Sequence, residues 1–133
     1  MQDGKLIQNR NRARQLIDFS GLKFGTITPT DIDGCVEYKN KALALFEMKH
    51  GDAEIPKGQE LALTRIIDDS RAAGKEAALF ICEHNVDNYN ADINAADTVV
   101  RKFYYNSEWY DGRGAKLKDK LNSFISFVDK EPF

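Results

Sequence analysis

Hydrophobic and polar residues alternate along this chain with two different periods. In three segments apolar residues recur three or four positions apart, which is the spacing of an amphipathic helix. Between them lie alternating or continuous apolar runs rich in β-branched and aromatic side chains, which are typical of strands. The pattern predicts helices over residues 3–20, 57–73 and 114–130, and strands over residues 23–27, 32–38, 41–49, 76–82 and 97–106. The predicted order is therefore helix, three strands, helix, two strands, helix.

The connections between these segments indicate how the strands pair. Residues 39–41, Lys-Asn-Lys, form a polar break that predicts a hairpin between the second and third strands. Residues 50–58 are rich in glycine and proline and lead into the second helix, with Pro56 in its first turn. A helix between the third and fourth strands predicts a parallel, right-handed crossover. Residues 84–96 are polar and rich in asparagine, and are expected to form a loop.

Length and composition fit an ordinary globular protein. A chain of 133 residues, 42% apolar and 30% charged, predicts one domain over residues 1–133. It has no apolar run long enough to span a membrane and no secretory signal, and Cys35 and Cys82 are far apart, so we expect a cytoplasmic protein. The formal net charge of −2 means that any contact with nucleic acid must depend on local basic clusters.

Two acidic residues precede the second predicted strand, and an acid and a lysine end the third. Side chains alternate along a strand, so Asp31 and Asp33 share one face, and Glu47 and Lys49 share one face. Neighbouring carboxylates repel unless a cation or a shared proton lies between them. Oxygen ligands of this kind suit Mg²⁺ or Mn²⁺, and a lysine beside them can hold or deprotonate a water or stabilise charge on a phosphate.

The hairpin turn decides whether these side chains meet. If Tyr38 pairs with Ala42 across three turn residues, Asp33 lies opposite Glu47, and Asp31 lies two positions further along, opposite Lys49. A two-residue turn would shift the register by one and place the two sets on opposite faces. A functional site therefore predicts an odd number of turn residues or a compensating bulge. In the alternative interpretation, the Glu-Met-Lys sequence is accidental and the chain is a small α/β interaction domain.

The spacing of Asp33, about a dozen further residues, and then Glu47-Met48-Lys49 resembles the PD-(D/E)XK nuclease superfamily. Gln59 resembles a glutamine that some branches carry in the helix after the lysine. The resemblance covers residues 3–83 and is greatest to small phage-encoded, prophage-encoded or Holliday-junction-resolvase-like members. It implies a restriction-endonuclease-like core, which is an α/β fold with a central mixed β-sheet flanked by helices in the order α-β-β-β-α-β-β-α.

The resemblance also implies a role for each matching residue. Asp33 and Glu47, with the Met48 carbonyl, would ligate Mg²⁺ or Mn²⁺, and Asp31 is the alternative to Asp33. Lys49 would position or activate the attacking water, and Gln59 would support the site or contact DNA. The implied activity is metal-dependent hydrolysis of DNA phosphodiester bonds. Because the sequence indicates no separate recognition domain, we expect a preference for branched or single-stranded structure over a particular sequence, and a homodimer is plausible if the substrate is branched DNA. The alternative is an inactive nuclease-fold protein that binds nucleic acid or a host protein in the cytoplasm.

Basic, histidine and aromatic residues supply further candidates. Arg10, Arg12 and Arg14 on the first predicted helix, and Lys57 at the start of the second, are candidate nucleic-acid contacts; a solvated basic face is the alternative for the arginines. His50 and His84 end two predicted strands and are candidates to line the site, because strand ends gather at one edge of a sheet. Trp109, Tyr104, Tyr105 and Tyr110 form an aromatic cluster that either packs in the core or stacks on unpaired bases.

Overall fold

The computed structural model describes residues 16–130, which divide between two compact units, Met1–Thr30 and Asp31–Phe133. Most of the first predicted helix, including its three arginines, lies outside the described residues. Residues 16–20, its predicted end, are not helical. The predicted strand over residues 23–27 is also wrong. Phe24 and Ile27 instead exchange backbone hydrogen bonds of 2.9 and 3.1 Å around Gly25, whose φ is +67°, so the segment turns back on itself.

The second unit contains one five-stranded sheet and two helices. The strands are β1 (Gly34–Tyr38), β2 (Ala42–His50), β3 (Glu76–His84), β4 (Val99–Tyr105) and β5 (Glu108–Asp111), and the helices are α1 (Lys57–Ala72) and α2 (Leu117–Lys130), with a short 3₁₀-helix at Ala95–Asp97 before β4. The sheet order follows the chain order, and only β2 and β3 are parallel. The predicted α/β fold with a mixed sheet is confirmed, and so is the parallel step through α1.

The observed order of elements differs from the predicted one at both ends. In the described residues the order is β-β-α-β-β-β-α, with the 3₁₀-helix between β3 and β4. Strand β5 lies in a segment for which the sequence pattern predicts neither a strand nor a helix. It forms because Asn106 and Ser107 adopt positive φ values of 52° and 65°, which lets Tyr105 pair directly with Glu108 in a hairpin. Asn-Ser lacks the glycine that usually marks such a turn.

Each face of the sheet is covered by one helix, which explains why β3 is apolar along most of its length. On one face Leu63 and Ile67 of α1 pack with Leu45, Leu79 and Ile81. On the other face Leu117 of α2 packs among Ala78, Phe80, Cys82 and Val100. Ile66 has the helical spacing to lie with Leu63 and Ile67 on the core face of α1, but 39% of its surface is exposed. Among residues 16–130, every helix is too short or too polar to cross a bilayer.

The hairpin between β1 and β2 has the predicted register. Tyr38 pairs with Ala42, so three residues form the connection, and Lys41 donates a 2.8 Å hydrogen bond to the Tyr38 carbonyl. Lys39 and Asn40 both have positive φ, which permits this tight reversal. At the other end of the hairpin, Gly34 lies against the ring of its partner Phe46. A Cβ at Gly34 would come within 2.0 Å of that ring, so only glycine fits where β1 begins.

Candidate metal and catalytic site

The hairpin brings the carboxylates of Asp33 and Glu47 together. Gly34 pairs with Phe46, and extending this register by one residue sets Asp33 opposite Glu47. Each carboxylate accepts a backbone hydrogen bond from the other strand. The Asp33 amide donates to Glu47 Oε1 at 3.1 Å, and the Met48 amide donates to Asp33 Oδ2 at 2.7 Å. The predicted juxtaposition is therefore present, and it also fastens the chain before β1 to β2.

Glu47 is a buried acid on the α1 face of the sheet. Only 1% of its surface is exposed, whereas Asp33 is exposed. Burial, followed by repulsion from the Asp33 carboxylate, raises the pKa of Glu47 to about 7, and the positive charge of Lys49 opposes this rise. Near neutral pH the pair therefore tends to retain a proton. A divalent cation could replace that proton and neutralise both groups.

Lys49 lies two residues beyond Glu47 and faces the same side of β2. Its side chain is half-buried and forms no salt bridge with any residue of the described range. Its partner in the register of β3 is Glu83, on the same face. Lys49 is thus an ammonium beside the carboxylate pair that is not committed to a structural ion pair.

Gln59 connects α1 to the chain that leads into β1. Its Nε2 donates a 3.1 Å hydrogen bond to the carbonyl of Asp31. Since β1 begins only at Gly34, Asp31 lies outside the strand ladder, and the expected strand pairing of Asp31 with Lys49 does not form. The geometry therefore selects Asp33, rather than Asp31, as the carboxylate that meets Glu47. Gln59 holds the backbone two residues before it.

Arg101 holds the loop that follows β2, and sequence reasoning did not identify this role. The pairing of β3 with β4 shifts by one residue between Ile81 and Cys82, which leaves Arg101 in a bulge. Its guanidinium donates to the carbonyls of Gly51 and Ala53 at 2.7 and 2.8 Å. These residues directly follow the strand that carries Glu47 and Lys49. No local sequence signal marks Arg101, because the bulge is a property of strand pairing.

The two histidines lie at the same sheet edge but on the other face. His50 pairs with His84, and their rings meet edge to face with centroids 5.3 Å apart. His50 Nε2 lies 2.7 Å from a carboxylate oxygen of Asp87, and the Val86 amide donates to Nδ1 of His84 at 3.1 Å. Since side chains alternate along β2, His50 points away from the face of Lys49. The two histidines therefore do not share a sheet face with the carboxylate pair.

The aromatic cluster belongs mainly to the core. Tyr104 is buried, its hydroxyl donates to both oxygens of Asp68 at 2.9 and 3.1 Å, and its ring lies 5.2 Å from that of Trp109. Lys102 covers Trp109, with Nζ 4.3 Å from the ring centroid. Tyr110 remains exposed. Lys57, the predicted nucleic-acid contact in the first turn of α1, is also exposed.

The residues present fit a cation that takes few protein ligands. Within residues 16–130, no three His, Cys, Asp or Glu side chains come close enough together to form a metal site. Asp33 and Glu47 therefore supply two carboxylates, and further ligands would be backbone carbonyl groups, waters and substrate oxygens. Mg²⁺ is commonly bound in this way, by one or two carboxylates together with substrate phosphate. No protein-family model, curated protein or solved structure matches this chain.

Proposed function

We propose that this protein is a metal-dependent nuclease that hydrolyses DNA phosphodiester bonds, with a site of the PD-(D/E)XK type. The observation that carries the proposal is the meeting of Asp33 with the buried Glu47, two residues before an uncommitted Lys49. The three groups were expected together from the sequence, and their juxtaposition depends on the three-residue turn of the hairpin. The resemblance to the superfamily supports this assignment of chemistry.

Each group has a role that follows from its surroundings. Asp33 and Glu47 would hold Mg²⁺ or Mn²⁺ together with the Met48 carbonyl. Bound there, the cation would supply Lewis-acid activation of the phosphate and the attacking water. Lys49 would hold that water or stabilise the negative charge that develops on the phosphate oxygens. Gln59 keeps the chain before Asp33 against α1 through the Asp31 carbonyl and so positions the site.

A second candidate function follows from the structural hydrogen bonds that the two carboxylates accept. Both accept hydrogen bonds from backbone amides, so the pair also serves to join β1 to β2 without a metal. The net charge of −2 gives no general attraction for DNA. These features favour, as the alternative, a nuclease-fold protein that binds nucleic acid or a host protein and does not cleave.

One experiment separates these functions. Labelled single-stranded, duplex and branched DNA would be incubated with the protein and Mg²⁺, Mn²⁺ or EDTA. Lys49→Ala would be compared with Lys130→Ala, an exposed lysine at the end of α2. We expect metal-dependent cleavage that survives in Lys130→Ala and falls by about a hundredfold or more in Lys49→Ala, because positioned acid–base groups contribute on that scale.

Other results of this experiment would favour the alternative or exclude Lys49 from the site. Binding of DNA without cleavage by the wild-type protein would support the non-cleaving alternative. Equal cleavage by the wild-type and Lys49→Ala proteins would show that Lys49 is not part of the site. If the wild-type protein neither binds nor cleaves any of these substrates, the nuclease proposal fails, and binding of a host protein is the part of the alternative that remains.

A further inference from the structure

A cleft of about 440 Å³ opens where β2 and β3 end, on the face of the sheet opposite to Lys49. Its floor contains the paired rings of His50 and His84, and the rest is formed by the loop that follows β3. The lining residues from this loop are Val86, Asp87, Asn88, Tyr89, Ala91 and Ile93. The cleft therefore lies within the asparagine-rich segment to which the proposed nuclease chemistry assigns no role.

Flat and apolar surfaces in this cleft are open to a ligand. Tyr89 is fully exposed, and Ile93 exposes 45% of its surface. The two histidine rings are held in place by their contacts with Asp87 and the Val86 amide. The exposed ring of Tyr89, beside the two histidine rings, can accept a planar aromatic group by stacking. The volume is within the usual range for small-ligand sites.

Charge selects which part of a nucleotide would enter. Asp87 is the acidic residue of the lining, and it lies next to His50. A phosphate would be repelled by this carboxylate, whereas a nucleobase carries no charge. The Asn88 side-chain oxygen accepts a hydrogen bond from the Asn90 amide, which leaves the Nδ2 group to donate to the polar edge of a base. The chemistry of the lining therefore favours an unpaired base over a phosphate group.

We propose that this cleft binds one unpaired nucleobase of a single strand whose phosphodiester lies at Asp33, Glu47 and Lys49. The inference rests on the proposed nuclease function and names the substrate feature that the enzyme reads. His50 directly follows Lys49, and their side chains leave opposite faces of the same strand end. A single strand that crosses this edge of the sheet meets the carboxylate pair on one side and the cleft on the other. A base held in a stacked duplex cannot enter.

The test uses Tyr89, whose exposure means that its replacement leaves the fold intact. Fluorescence anisotropy would give the Kd of the full chain for labelled oligothymidylate and for a duplex of equal length, in EDTA to prevent cleavage. We expect Tyr89→Ala to weaken single-strand binding about tenfold and Tyr89→Phe to keep it, because stacking needs the ring and not the hydroxyl. Phe127→Ala replaces an exposed aromatic residue of α2 that does not line the cleft; this variant should bind normally, and duplex affinity should not change.

Failure of this inference can be told apart from failure of the nuclease proposal. If wild-type protein binds single strands and Tyr89→Ala binds them equally well, the cleft is not a base site, whatever the cleavage assay shows. An equal loss for single strands and duplex would also overturn it, because Tyr89 would then act on the backbone. If wild-type protein cleaves DNA but Tyr89→Ala changes neither Kd nor rate, only the cleft inference falls. If wild-type protein binds no single strand, the inference is refuted directly.

Discussion

Replacing Glu47 by glutamine should change how stability depends on pH. In the folded protein the pKa of Glu47 is raised from 4.5 to about 7, mainly by burial and then by Asp33. Between these values the unfolded chain has lost the proton and the folded chain keeps it, so stability falls as pH rises. The contribution of the neutral carboxyl is complete below pH 4.5 and is lost as pH passes through 7. Glutamine keeps an oxygen that can accept the hydrogen bond from the Asp33 amide, but its side chain does not titrate in this pH range.

The size of the effect follows from the two pKa values. Each pH unit between 4.5 and about 7 corresponds to about 1.4 kcal/mol, which gives roughly 3 kcal/mol in total. Asp33 is exposed to solvent, which screens its repulsion of Glu47, so this figure is an upper bound. For a chain of this size the difference corresponds to roughly 10 °C in Tm. Glu47→Gln should therefore match wild type near pH 5 and become the more stable protein by pH 8.

The assay is urea denaturation and thermal unfolding of both proteins in EDTA, from pH 5 to 8. Glu54→Gln is the matched control, because Glu54 is an exposed acid in the loop before α1. Mg²⁺ at about a hundred times its Kd should restore roughly 2.7 kcal/mol to wild type at pH 8 and much less at pH 5, where the proton competes. Glu47→Gln should show little response to the cation.

Two results would refute this reasoning. If the stability difference between wild type and Glu47→Gln is the same at every pH, Glu47 does not titrate near neutrality and its burial has been misjudged. If Asp33→Asn leaves the titration midpoint unchanged, Asp33 does not contribute to the shift. We expect Asp33→Asn to lower that midpoint towards 4.5 but not to reach it, because burial remains the larger cause.

Three further predictions concern the supports of the site and the core. Arg101→Met should lower the free energy of unfolding by about 2–4 kcal/mol in urea denaturation, because two charged hydrogen bonds to the loop after β2 are lost. It should also speed amide hydrogen exchange in that loop, and unchanged exchange would show that Arg101 does not hold the loop. Gln59→Ala should cost about 1 kcal/mol and speed exchange around Asp31; protection equal to wild type would show that the contact is dispensable. Leu63→Ala should cost about 2–5 kcal/mol, whereas Leu61→Ala on the exposed side of α1 should cost far less, and equal losses would mean that the helix faces are misassigned.

The hairpin was predictable because its residues carry both parts of the signal. A polar break separates two strand-like runs. Asp33 and Glu47 lie on the same face of the hairpin in the register that pairs Tyr38 with Ala42, whereas a shift by one residue separates them. The same reasoning failed for Asp31, because alternation says nothing about where a strand begins. That boundary is set by Gly34, whose missing side chain makes room for Phe46, a contact made across the sheet.

Other features depend on contacts that the local sequence does not record. The segment around Gly25 has strand-like composition, but its backbone bonds to itself and joins no sheet. Ile66 has the right spacing for the core face of α1, yet Leu63 and Ile67 already fill the space over the sheet. The bulge that frees Arg101 arises from the mismatch between two strands. In each case contacts with other parts of the fold, rather than the conformational preferences of the residues, determine the local structure.

Position 47 supplies the strongest physical argument for a function. Leu43 and Leu45 lie on the same face of β2, and the core there is apolar, so leucine at position 47 would continue the pattern. The chain instead buries a carboxyl group beside a second one, at a cost of up to roughly 3 kcal/mol above neutral pH. A fold that needed only packing at this position would be more stable without the acid. Residues that break the local packing rule are expected at functional sites. A cation bound between Asp33 and Glu47 would offset this cost. In the proposed nuclease the same cation would activate the phosphate and the attacking water.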